Sequence, residues 1–183
     1  MTSRDALVAT AGETIAKGSR SFAMASKLFD RPTRERAWLL YAWCRHCDDV
    51  MDGQELGGEM AVVVDPAHAL AEIRVGTSRA LAGETVGSAP FDGLAIVAAE
   101  CAIPRRYIDD HLDGFALDAK GWQPRTEADL IRYCYHVAGA VGCMMAVIMG
   151  VSPDDEDTLS RASDLGIPDT ESSVTPEMLA DAP

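Results

Sequence analysis

Positive charge is scarce in this chain: 16 Lys and Arg stand against 29 Asp and Glu, for a formal net charge of −13. A protein that grips nucleic acid needs a basic face to neutralise phosphates, so nucleic acid is excluded as a partner class. The first residues, Met1-Thr2-Ser3-Arg4-Asp5, lead into mixed polar sequence without the apolar core of a secretory leader. The five cysteines (Cys44, Cys47, Cys101, Cys134 and Cys143) are odd in number and lie in apolar stretches. They read as reduced, buried thiols of a cytoplasmic protein. Cys44-x-x-Cys47 lacks a second Cys/His pair at ligand spacing, which argues against zinc or redox chemistry. No apolar run reaches the roughly 20 residues of a bilayer span. The longest, residues 137–151, is expected to be a buried core helix, with peripheral membrane contact left open. Period-2 strand alternation, internal repeats and low-complexity tracts are also missing.

What is present is helical. Hydrophobic residues make up 48 % of 183 residues, enough for one domain with a sizeable core. Helices are expected over residues 3–17, stopping near Gly18, and over 32–52, opened by Pro32 and ended by Gly53, Gly57 and Gly58. Further helices are expected over 67–82, 91–101, 105–118 behind Pro104, 126–149 and 154–165. The class is all-α. The tail after Gly166 has no apolar period and reads as disordered.

Charge is unevenly distributed. Residues 1–36 hold seven Lys/Arg against four Asp/Glu, so the acidity lies in the remainder. A basic entrance followed by acidic helices suits an enzyme that holds a phosphorylated substrate through divalent cations, and a solvated mixed surface fits equally. The sharper signal is Tyr41, Arg45, Asp48 and Asp52, spaced i, i+4, i+7, i+11. At about 3.6 residues per turn these four share one helix face. The residues between them are mostly apolar (Trp43, Cys44, Cys47, Val50, Met51), so the helix should be buried and its polar stripe should face a cavity or a polar partner. Two carboxylates four residues apart can offer oxygen ligands to Mg²⁺, with water and substrate phosphates completing the shell. Arg45 is placed to meet a diphosphate with its donor fork. The alternative is a helix salt bridge from Arg45 to Asp48 or Asp52. Asp49 is turned off this face and reads as structural.

Two further segments carry weaker signals. In Lys17-Gly18-Ser19-Arg20-Ser21-Phe22, backbone N–H groups and hydroxyls can hold an anion, although a Ser after Gly is commonly an N-cap. In the stretch from Tyr133 to Gly142, the small residues Ala138, Gly139 and Gly142 permit either close helix packing or room for a ligand. His136 fits a satisfied core histidine better than a catalyst.

Taken together and in this order, these segments resemble the squalene/phytoene synthase family. The resemblance rests on Gly18-Ser19-Arg20-Ser21-Phe22, on Leu40-Tyr41-Ala42-Trp43-Cys44-Arg45-His46-Cys47-Asp48-Asp49-Val50-Met51-Asp52, on His111-Leu112-Asp113-Gly114-Phe115-Ala116-Leu117-Asp118, and on residues 133–142. It implies an all-α isoprenoid-synthase-type helical bundle, incomplete here, with residues 1–166 as the N-terminal part of a head-to-head prenyl-diphosphate synthase domain and 167–183 as a non-family tail. It implies condensation of two geranylgeranyl diphosphates to phytoene through a cyclopropyl diphosphate, in carotenoid biosynthesis. Asp48 and Asp52 would bind Mg²⁺, with Mn²⁺ the other candidate. Ser19, Ser21, Tyr41 and Arg45 would contact substrate diphosphate, and Val137, Ala138 and Gly139 would line an apolar tunnel.

The family pattern departs after Asp164-Leu165-Gly166, where a second aspartate-rich motif is expected and the chain reads Ile167-Pro168-Asp169. A frameshift or truncation after Gly166 would account for this, and impaired turnover is the expectation for these residues alone. Two other readings stand beside the first: a squalene- or dehydrosqualene-type synthase acting on farnesyl diphosphate, and an inactive helical module that only binds partners.

Overall fold

In the computed structural model, which describes residues 2–54 and 62–164, every regular element is helical. Helix α1 spans Arg4–Gly18, α2 Arg20–Ala25, α3 Arg31–Asp52, α4 Pro66–Leu81, α5 Ala89–Cys101, α6 Arg105–Ala119, α7 Glu127–Cys134, α8 Ala140–Ile148 and α9 Glu156–Asp164. A 3₁₀ turn, Ser26–Leu28, follows α2, and a π turn, Tyr135–Gly139, joins α7 to α8. Gly57, Gly58 and the tail after Gly166 lie outside the described residues.

Local chemistry sets the boundaries. Ser3 Oγ accepts from the Ala6 N–H to start α1, and Asp30 and Asp65 do the same for α3 and α4, each followed by a proline in the first turn. Gly53 closes α3 in the left-handed region at φ 62°, where a side chain would be strained. Thr126 and Asp129 form a reciprocal capping box at α7.

The long helix α3 is the centre of the molecule, with α1, α4, α5 and α8 packed around it. Its Ala37, Leu39, Leu40, Ala42, Trp43 and Cys47 are buried. Trp43 is fully enclosed, and its indole N–H donates to Thr77 Oγ1 on α4 at 3.3 Å. Leu94, Ile108, Leu112 and Met144 complete the core from α5, α6 and α8. At one edge Arg4 bridges Glu35 and Glu100 (2.7 and 2.6 Å) while Arg36 joins Glu100 at 2.9 Å, tying α1, α3 and α5.

The short α2 helix and the π turn were not foreseen. Sequence periodicity runs through 126–149 without a break, and the chain is indeed helical throughout Glu127–Ile148. At the π turn, however, the Ala140 N–H reaches back five residues to the Tyr135 carbonyl. The cause is tertiary. Tyr135 Oη donates to Asp110 at 2.6 Å and His136 Nδ1 lies 2.8 Å from the Asp110 carbonyl, so both side chains are drawn onto α6. This helix is long and apolar enough to cross a membrane, yet its α8 half is core: Ala140, Cys143, Met144, Ala146, Val147 and Ile148 are buried.

Helix α9 lies directly on the π turn and α8. A methyl at Gly142 would stand 2.5 Å from the Ala162 carbonyl oxygen, and one at Gly139 would stand 3.2 Å from that of Ser163. Because the obstacle at Gly142 is backbone, it cannot swing aside. Gly142→Ala should therefore cost about 1–3 kcal/mol and lower the thermal midpoint by about 5 °C. An unchanged midpoint by circular dichroism would show that α9 does not dock there in solution.

Candidate active-site cleft

The Asp48 and Asp52 end of the polar stripe of α3 opens onto a cleft of about 300 Å³. Asp48 and Asp52 form one wall; His111, Phe115 and Asp118 of α6, Tyr133 of α7 and Val137 of the π turn form the others. Three ties set its width. Tyr133 Oη donates to Asp118 at 2.8 Å, tying α7 to α6, and the Tyr135 and His136 contacts to Asp110 clamp the π turn to α6 about two turns away along that helix. Gly114 lets them approach, since a methyl there would lie 3.2 Å from Val137 and 3.3 Å from the His136 backbone.

Asp48 and Asp52 enter no ion pair among the described residues. Burial pushes the Asp48 carboxyl up to about 6, with the neighbouring carboxylates of Asp52 and Asp49 adding to the rise and Arg45 opposing it. The expected alternative pairing of Arg45 with Asp48 or Asp52 is corrected here. Arg45 Nη2 meets Asp49 at 2.6 Å, one turn along the helix, and Gln54 Oε1 at 3.4 Å. Asp49 is thus structural, as its position off the stripe implied. Arg45 Nε is buried without a hydrogen-bond partner. A buried donor left unmade is costly, and an anion in the stripe would satisfy it.

At the other end of the stripe, about 16 Å from Asp52 at 1.5 Å per residue, Tyr41 meets the junction of α1 and α2. Gly18 lies so close over its hydroxyl that a methyl would come within 2.6 Å, and Phe22 packs on its ring with centroids 5.6 Å apart. Ser19 caps α2, accepting from the Phe22 N–H at 3.3 Å, and its Oγ lies 3.4 Å from Ser21 Oγ. The fold therefore gathers Ser19, Ser21 and Tyr41, with Ser19 already employed as an N-cap.

The apolar set divides. Val137 lines the cleft, while Ala138 and Gly139 are not among its walls. Gly139 is buried against Tyr135 and α9, so close packing rather than ligand room explains it. Sequence reasoning missed His111, Phe115, Asp118 and Tyr133 as wall residues. A signal existed: His111, Phe115 and Asp118 repeat the i, i+4, i+7 spacing of Tyr41, Arg45 and Asp48.

His111 is buried, and its pKa falls to about 4 through desolvation, against a weak contact of Nδ1 with the His136 carbonyl at 3.4 Å. It is a neutral imidazole at physiological pH, held edge-on between Trp43 and Phe115, and its Nε2 has no partner. Among the described residues no three His, Cys, Asp or Glu side chains converge as a metal cluster. Asp48 and Asp52 are an oxygen pair of the kind that binds Mg²⁺ together with substrate phosphates. Cys44 and Cys47 are free thiols that burial holds protonated.

The sequence pattern of the squalene/phytoene synthase family matches residues 15–167, and the chain belongs to this family. It is 45 % identical to the 15-cis-phytoene synthase of Pantoea ananas over 93 % of this chain and 55 % of that one. It is 43 % identical to the phytoene synthase of Pseudescherichia vulneris over 98 % and 58 % respectively. The chain thus spans about half the length of the curated relatives it matches. Its fold matches a crystal structure of a dehydrosqualene synthase with a TM-score of 0.75 at 25 % identity, covering 89 % of this chain and 53 % of that one. A squalene synthase from Alicyclobacillus acidocaldarius gives 0.73 at 24 %, covering 86 % and 56 %. The all-helical, squalene-synthase-like fold expected from the sequence is therefore what the chain has.

The state of Asp48 makes a stability prediction. Its folded pKa stands above its ordinary value of about 4, so folding favours the protonated form. This contribution is fully present below about pH 4 and is lost as pH rises through about 6. Asp48→Asn should accordingly raise the thermal midpoint at pH 8 and give no gain at pH 4. Equal effects at both pH values would show that Asp48 is not desolvated.

Proposed function

We propose that this chain supplies a metal- and diphosphate-binding wall of a phytoene synthase-type prenyltransferase, which joins two geranylgeranyl diphosphates through a cyclopropyl diphosphate. The observation that carries this reading is the pair Asp48 and Asp52 at one wall of the cleft, in no ion pair among the described residues and in line with Arg45 and Tyr41 on α3. Identities of 43–45 % to phytoene synthases support the C20 substrate over farnesyl diphosphate. Membership of the family and its chemistry support Mg²⁺, and Mn²⁺ meets the same oxygen donors.

The residues suit ionisation of an allylic diphosphate. Bound Mg²⁺ would neutralise the departing diphosphate electrostatically. Arg45 keeps an unpartnered Nε beside the stripe, and the hydroxyls of Tyr41, Ser19 and Ser21 are donors for phosphate oxygens at its far end. Carbon-skeleton chemistry needs a dry surface without competing positive charge. Phe115 and Val137 are apolar, and His111 is held neutral by its burial. The ring faces of Tyr133 and Phe115 can stabilise a carbocation.

Binding to the folded state must raise stability. Mg²⁺ with inorganic pyrophosphate, each well above its dissociation constant, should stabilise the chain by about 2–3 kcal/mol, a rise of about 5–10 °C in thermal midpoint. The rise should shrink as pH falls through about 6, where a proton at Asp48 competes with the ion. Asp48→Asn with Asp52→Asn should abolish it. A midpoint that ignores Mg²⁺ and pyrophosphate, or a rise that survives the double substitution, would overturn this assignment.

A further inference from the structure

We infer that His111 is a further catalytic residue of the cleft, its Nε2 accepting the proton lost when the last carbocation becomes a hydrocarbon. This rests on the prenyltransferase reading above and assigns one step of it. The chemistry requires such an acceptor. Two prenyl diphosphates that each release pyrophosphate leave two cationic charges, so their union is neutral only after two protons are lost. The second loss follows ionisation of the cyclopropyl diphosphate, where the carbon–oxygen bond breaks and its electron pair leaves with pyrophosphate. A carbon–hydrogen bond beside the rearranged cation then breaks. Its electron pair becomes a carbon–carbon double bond, and the proton passes to a base. No oxidant or reductant enters.

Few of the residues lining the cleft have a lone pair to spare. Asp48 and Asp52 are the pair placed to hold Mg²⁺, and Asp118 accepts from the Tyr133 hydroxyl at 2.8 Å. Phe115 and Val137 offer none. His111 remains. It is 4 % exposed, and its Nε2 is buried with no hydrogen-bond partner among the described residues. Its Nδ1 lies 3.4 Å from the His136 carbonyl. A carbonyl oxygen only accepts, so the single proton of the neutral ring belongs on Nδ1 and Nε2 keeps its lone pair. A buried acceptor left unmade is costly, and one retained in a folded chain calls for a functional reason.

The surroundings suit the step. Desolvation lowers the His111 pKa to about 4, so the ring is unprotonated at physiological pH and ready to accept. A weak base suffices, because a carbocation is a far stronger acid than an imidazolium. The same low value makes the imidazolium surrender its proton to the departed pyrophosphate, which restores the base. Trp43 and Phe115 meet the ring edge-on, with centroids 5.7 and 5.1 Å away, and fix its place. A water molecule acting as the base could instead add to the cation and give an alcohol; a buried ring nitrogen takes the proton where water is excluded.

Two prenyl amines, each offered to the full 183-residue chain with Mg²⁺ and inorganic pyrophosphate, test the inference. A geranylgeranyl chain ending in dimethylammonium mimics the cation and carries one N–H donor. Its trimethylammonium counterpart has the same charge and no donor. The dimethylammonium should bind at least about tenfold more tightly, the worth of one hydrogen bond from a charged donor. In ¹⁵N spectra of the histidine-labelled chain, the His111 Nε2 resonance should move far more with the dimethylammonium than with the trimethylammonium. His111→Leu should erase the difference in affinity, and His111→Gln, whose amide keeps an acceptor, should retain part of it. Circular dichroism checks that both variants fold, and the resonance of the unaltered chain needs no variant. A difference that survives His111→Leu would give the N–H to a carboxylate and overturn the inference. Equal binding of the two amines would also overturn it, as would no binding by either while Mg²⁺ and pyrophosphate still raise the thermal midpoint. If that rise fails as well, the prenyltransferase reading falls, and the role of His111 falls with it.

Discussion

Helix α3 carries an apolar face, Ala37, Leu39, Leu40, Ala42, Trp43 and Cys47, and water can be kept from it only if other elements cover it. Helices α1, α4, α5 and α8 do so, with Trp43 fully enclosed and pinned to Thr77. Such a helix cannot also bury four polar side chains against apolar neighbours without severe desolvation cost. Tyr41 lies against Gly18 and Phe22, Arg45 pairs with Asp49, and Asp48 and Asp52 face a gap in the packing. That gap is the cleft, and the constraint that creates it is the same one that builds the core.

Among the described residues the two carboxylates in the stripe form no ion pair, and Arg45 pairs with Asp49 instead. Burial then raises the Asp48 carboxyl, and Asp52 adds like charge. A site prepared in this way is electrostatically uncomfortable when empty of positive charge, which is the property expected of a cation-binding wall rather than of a structural pair. The opposite wall has another character. The neutral His111 imidazole, the Phe115 ring and Val137 present weak polarity, while Asp118 is occupied by the Tyr133 hydroxyl. One side of the cleft suits charge and the other suits hydrocarbon.

Much of this was legible beforehand. Proline, glycine and capping residues marked most helix ends to within a residue or two, because those signals act within a single turn. The i, i+4, i+7, i+11 spacing on α3 gave the site's first wall, since a helix face is a local property. Helix α2 was missed because six residues between Ser19 and the 3₁₀ turn are too few to show a period. Gly139 was placed in a tunnel when it serves the docking of α9, since small residues signal close approach without saying what approaches.

The sequence by itself determined the all-helical class, the polar stripe on the long helix α3 and the family to which the chain belongs. Each of these depends on spacing along one helix or on residue type. Only the tertiary structure decided that α6 and α7 supply His111, Phe115, Asp118 and Tyr133 to the other side of the cleft, that Arg45 pairs with Asp49, and that the helix after Cys134 opens into a π turn. Those outcomes turn on contacts between helices distant along the chain, where Asp110 competes for Tyr135 and His136 across α6. A periodic pattern states which face of a helix is buried; it does not state which neighbour covers it.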